Sequence, residues 1–115
     1  MRDSLVPALA LFDKAAFAAW RSQTPDADER PIALIPALVV EALSPHARHS
    51  EAARKAQRHL ALGVQLVWIV DPHVPQAAVY RRGSDQVTLL SPADALTADD
   101  LLPDLRLPLD QRFAL

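Results

Sequence analysis

At 115 residues the chain has the size of one compact domain, long enough to bury a real core. Its formal charge of −2 at pH 7 gives no overall basic field, and no apolar run approaches the ~20 residues of a membrane helix. The N-terminal stretch is broken by Asp3, Asp13 and Lys14 and makes a poor signal peptide, while the lack of cysteine fits a reducing, cytoplasmic setting.

In chain order, residues 5–12, around Val6, Pro7 and Ala8, read as a first strand-like segment. Residues 14–21 are helix-like, with a stripe of Ala16, Phe17 and Trp20 that predicts a buried Trp20. The polar stretch 22–31, SQTPDADERP, is a loop. Residues 37–43, Ala-Leu-Val-Val-Glu-Ala-Leu, form a strand that is apolar on both faces except at Glu41, the pattern of a strand buried on both sides. Ser44-Pro45 ends it, and Ser50-Glu51 supplies an N-cap and a first-turn acid for a helix over 50–62 that stops at Gly63. On that helix Ala52, Ala56 and Leu60 form the inward stripe, with Ala53 beside them; Glu51, Arg54 and Arg58 point away, and Lys55 and His59 flank the stripe. A second continuous apolar strand, 64–70, carries Trp68, expected to be buried, and ends in the turn signal Asp71-Pro72. Residues 77–81, the turn at 82–85 and residues 86–90 continue as a hairpin. Strand, helix and strand with short connections imply a right-handed crossover, with 37–43 parallel to 64–70. The fold class is α/β: a mixed sheet with a parallel strand-helix-strand crossover and an antiparallel edge hairpin.

Glu41 is the chemical anomaly. An ionised carboxylate inside an apolar strand is costly unless it meets a cation, a metal or several hydrogen-bond donors. Lys55 and His59, one helical turn apart on one side of the helix, stand where a long side chain can reach across the sheet. Two ordinary readings stay open: a strand near an edge that turns Glu41 to water, and a solvated boundary lysine.

The succession PALVVEALSP, then Glu51 and Lys55, then Gly63-Val64 and VWIVDP resembles the core of the Uma-two family of restriction endonucleases, a branch of the PD-(D/E)XK nuclease superfamily. The resemblance covers about residues 34–82, with a weaker echo from Leu102-Pro103-Asp104-Leu105 to Phe113. It implies a single restriction-endonuclease-like domain over 1–115 that cuts DNA with magnesium or manganese. Glu41 matches the family's metal-binding glutamate and Lys55 its catalytic lysine, since Leu43 fills the superfamily's usual lysine position. Glu51 matches a common acidic position, and His59 stands where the family commonly has tyrosine. Two departures matter: Ala8 and Ala37 occupy the places of family aspartates, and alanine binds no cation. One carboxylate is a poor magnesium site. The chain also begins near the end of the family's N-terminal helix and hairpin, so a sheet lacking that cover is expected to self-associate, as a symmetric dimer.

Other constellations are weaker. His46, His49 and Glu51 offer zinc donors without a fourth ligand. Ser44 lacks a nucleophile elbow, and turn formation accounts for Pro103-Asp104. Residues 45–82 hold Arg48, Arg54, Lys55, Arg58, Arg81 and Arg82 against Glu51 and Asp71, a basic stretch that fits phosphates or a solvated helix face equally. Two functions follow: a divergent, weak nuclease working through Glu41 and Lys55, or a catalytically dead oligomerising or nucleic-acid-binding module of the same fold.

Overall fold

The computed structural model describes residues 9–29, 34–43, 49–71, 74–98 and 101–109. Its strands are β1 (Leu9–Leu11), β2 (Leu38–Ala42), β3 (Leu66–Asp71), β4 (Gln76–Arg81), β5 (Val87–Leu90), β6 (Ala95–Ala98) and β7 (Leu102–Pro108), and its helices are α1 (Lys14–Gln23) and α2 (His49–Ala61). The first five strands form one sheet in the order β1-β2-β3-β4-β5, and β6 pairs with β7 separately. The expected crossover is present: β2 runs parallel to β3 with Val39 opposite Val67 and Glu41 opposite Ile69, and α2 lies between them in sequence. The remaining pairs of the main sheet are antiparallel, with the β4–β5 hairpin at one edge.

Period-two alternation sorts the central strands onto two faces. Leu38, Leu66, Trp68 and Val70 turn one way and pack with Ala77, Val79 and with Leu96, Ala98 and Leu109 of the closing segment. Val39, Val67 and Ile69 turn the other way and pack with Ala56 of α2 and with Val64. The sheet is therefore covered by the β6–β7 ribbon on one face and by α2 on the other, which explains why β2 and β3 read as continuous apolar runs. Leu38 and Val39, consecutive and on opposite faces, are both essentially inaccessible.

The end of α2 follows from Gly63. Its φ of +112° is a left-handed conformation that costs glycine little. The Gly63 amide donates to the Leu60 carbonyl at 3.0 Å and the Val64 amide to the His59 carbonyl at 3.1 Å, the two bonds of a Schellman ending. The following valine is buried, so one turn both stops the helix and delivers the chain into β3.

Three expectations need correction. Helix α2 begins at His49, so Ser50 lies inside its first turn rather than capping it. Trp20 is only half-buried, and α1 buries no residue at all. The apolar stripe of α1 covers itself locally instead: Phe17 meets Trp20 at 5.8 Å and Phe12 at 6.3 Å between ring centroids. Finally, His59 is inside rather than at the flank, with 4 % of its surface accessible. Asp13 caps α1, its carboxylate accepting from the Ala16 amide at 2.9 Å, and the loop after α1 holds a short 3-10 turn, Ala27–Glu29.

Candidate active site

Glu41 sits in the second strand of the sheet, on the face covered by α2, because it shares its parity with Val39 and its register partner Ile69 shares that of Val67. Its side chain is 12 % exposed, so the edge-strand reading with a solvated carboxylate does not hold. Two side chains of α2 meet it. Lys55 Nζ stands 4.0 Å from Oε2, and its side chain remains 41 % exposed, consistent with a stem that packs and a head that reaches from solvent. His59 Nε2 stands 3.9 Å from Oε1. One helical turn separates the two donors, so each approaches a different carboxylate oxygen. Both distances exceed a hydrogen bond; the three groups converge without closing on one another.

The imidazole of His59 is held below the ordinary histidine pKa, chiefly because burial penalises its charged form, with the cations of Lys55 and Arg58 adding to the effect. Glu41, facing it from β2, acts in the opposite sense. A histidine whose folded pKa is depressed contributes stability that is fully present above the unfolded value near 6.5 and is lost as pH falls through that region. Chemical denaturation midpoints are therefore expected to drop between pH 7 and 5, and His59→Phe should flatten that part of the profile; an unchanged pH slope in the variant would assign the loss elsewhere.

Other sequence candidates lie apart from this cluster. Glu51 is exposed on α2, pointing away as its phase predicted. Ser44, His46 and Ala8 fall outside the described residues, as does the side chain of His49; among the described residues no three His, Cys, Asp or Glu side chains gather as a metal cluster. Asp71, at the end of β3, accepts from the Val74 amide at 3.3 Å, in keeping with its turn role. It also lines a pocket of about 410 Å³ together with Leu43, Ile69, Gln76, Ala78 and Leu89, which neighbours Glu41 because Ile69 is its register partner. Ala37 precedes β2 and lies four residues before Glu41; at ~3.3 Å per extended residue the two are about 13 Å apart, too far to share one cation. The pairing of β1 with β2 is described as far as Leu9 opposite Val40, one residue short of Glu41.

The sequence reasoning did not give His59 a role in the site. Its spacing of four from Lys55 was the available signal, but a residue beside an inward stripe reads as boundary until the depth of helix packing is known.

A family profile described as "Putative restriction endonuclease", Uma2, matches residues 2–110. The chain belongs to the Uma2 family. The match reaches well beyond 34–82 and takes in β1 and the whole β6–β7 ribbon, of which the resemblance covered only the stretch from Leu102 onward, as a weaker echo. A crystal structure from Anabaena variabilis ATCC 29413, titled as a putative nuclease belonging to DUF820, superposes with a TM-score of 0.59 at 22% identity, over 67% of this chain and 43% of that one. That likeness establishes the fold, and the chain spans less than half the length of its solved neighbour. No curated protein matches the chain significantly. The two residues that the resemblance matched to the family motif, Glu41 and Lys55, come together between the sheet and α2, and His59, matched to a tyrosine position, stands equally near the carboxylate.

Proposed function

We propose that the chain is a divergent Uma2 nuclease domain, spanning 1–115, with weak metal-dependent DNA cleavage carried by Glu41 and Lys55. The observation that supports this reading is a nearly buried carboxylate on a central strand with a part-exposed lysine 4.0 Å away, in a family of restriction endonucleases. In this reading Glu41 holds the divalent cation, magnesium or manganese, which when bound lowers the pKa of its water and neutralises charge on the phosphate. Lys55, anchored by its stem and open to solvent at its head, positions the attacking water or the phosphate, and exposed Arg54 on the same helix adds to the field that draws DNA. A single carboxylate restrains an oxygen-loving cation poorly, which supports low rather than high activity. Plasmid nicking by the purified chain with manganese is expected to be slow and to vanish in Glu41→Ala and Lys55→Ala; nicking that persists in Glu41→Ala would defeat the reading. The cysteine-free, charged chain is assigned to the cytoplasm on the same family grounds.

The second reading, a catalytically dead oligomerising module, is favoured by the edge of the sheet. Val87 and Leu89 of β5 lie on the α2 face beyond the helix, 39% and 77% exposed. Antiparallel pairing of β5 with a second copy about Thr88 would place Val87 opposite the partner's Leu89, a self-complementary apolar seam. Light scattering is expected to give a dimer for the unmodified chain and a monomer for Leu89→Lys, since a lysine on an edge strand opposes edge-to-edge pairing; a monomer for the unmodified chain at high concentration would remove this reading.

A further inference from the structure

The separation between His59 and Glu41 asks for a third participant. His59 is 4 % exposed, and its Nε2 has no hydrogen-bond partner among the described residues, although buried polar atoms are nearly always satisfied. That nitrogen faces Glu41 Oε1 at 3.9 Å. A protonated nitrogen donating to a carboxylate would close to about 2.8 Å, whereas a bare lone pair facing a carboxylate oxygen is repulsive. Two ligands of one cation avoid both problems. Bonds of ~2.0–2.1 Å from nitrogen and ~2.0–2.2 Å from oxygen sum to about 4.1 Å, so the 3.9 Å gap is within the reach of one cation that both residues would hold. Lys55 addresses the other carboxylate oxygen, Oε2, and its head is partly in solvent.

We propose that His59 is a metal ligand alongside Glu41, and that the pair selects a first-row transition cation such as manganese, cobalt or zinc over magnesium. This rests on the reading of Glu41 as the cation-holding carboxylate and adds to it a nitrogen donor on α2. Imidazole suits zinc and its neighbours, whereas magnesium prefers oxygen ligands and keeps its water. The replacement of an expected family tyrosine by histidine thus changes the chemistry of the site, not only its shape.

The test uses the full chain and metals alone. Cobalt(II) titration followed by visible absorption is expected to show saturable binding that a hundredfold excess of magnesium leaves in place. His59→Phe should weaken it at least about tenfold, the scale on which the surroundings of a metal already matter, and shift the absorption band; Glu41→Gln should abolish it. Equal cobalt affinity and an identical spectrum in His59→Phe, with loss only in Glu41→Gln, would overturn the histidine ligand while leaving Glu41 as the cation site. Absence of cobalt binding to the unmodified chain would overturn both. Should His59→Phe fail to fold, 15N-histidine spectra of the unmodified chain decide the matter. Zinc should move the His59 Nε2 resonance ahead of those of His46, His49 and His73, and a His59 resonance that stays in place overturns the proposal.

Discussion

Ala8→Asp is expected to raise metal-dependent plasmid cleavage by roughly ten- to a hundredfold, a barrier change of about 1.4–2.7 kcal/mol. In the proposed reading a cation at Glu41 would have one protein carboxylate, and a second would fix its position and charge balance. The described pairing of β1 with β2 ends at Leu9 and Val40, one step before Glu41; Ala8 lies outside the described residues, and its match to a family aspartate is what the resemblance implies. Ala37→Asp is expected to do nothing alone, because four extended residues, about 13 Å, separate it from Glu41. Family resemblance treats the two alanines alike, and the strand direction separates them. The gain from Ala8→Asp should disappear when Glu41→Ala or Lys55→Ala is added. A comparable gain from Ala37→Asp by itself would show that the cation lies elsewhere.

Trp68→Ala is expected to lower the unfolding free energy by about 3–5 kcal/mol, a large share of the ~5–15 kcal/mol typical of a small domain. Trp68 is 3 % exposed at the centre of β3, packed in the cluster that joins Leu38, Leu66 and Val79 of the sheet to Leu96, Ala98 and Leu109 of the ribbon. Removing its ring therefore loosens two layers at once. Trp20→Ala is expected to cost only about 1 kcal/mol, the scale of one aromatic pair, because Trp20 is half-buried and among the described rings meets Phe17 alone. Urea unfolding of both variants checks the ranking, and acrylamide should quench Trp20 more strongly than Trp68. Equal costs, or equal quenching, would show that α1 is held against the core after all.

The crossover was legible because its signals are local and agree with one another. Two apolar runs with period-two faces, a helix with an Ala52-Ala56-Leu60 stripe and a glycine stop leave few ways to connect them, and the parallel register of Val39 on Val67 follows. The approach of Lys55 to Glu41 was equally legible, since a charge inside an apolar strand calls for a partner and the phase of α2 put the lysine at the boundary of the stripe that faces the sheet. The β6–β7 ribbon was not. Leu96 and Ala98 alternate with exposed Thr97, but the run is four residues long, and Pro103 and Pro108 in its partner argue against a strand from sequence alone.

What the sequence determined by itself was which residues must leave water and in which periodicity: the strands, α2 and its end, the faces of β2 and β3, and the isolated carboxylate. What only the tertiary structure decided was how deeply each element sits. Helix α1 has an apolar stripe yet buries nothing, because α2 and the ribbon pack on the central strands while Phe17 and Trp20 pack on one another. His59 reads as a flank residue yet is buried against Glu41, because α2 lies close enough on small Ala52 and Ala56 for the residues beside the stripe to be enclosed. Burial of a boundary position depends on the distance between layers, and that distance is set by all the side chains packed between them rather than by any one stretch of the chain.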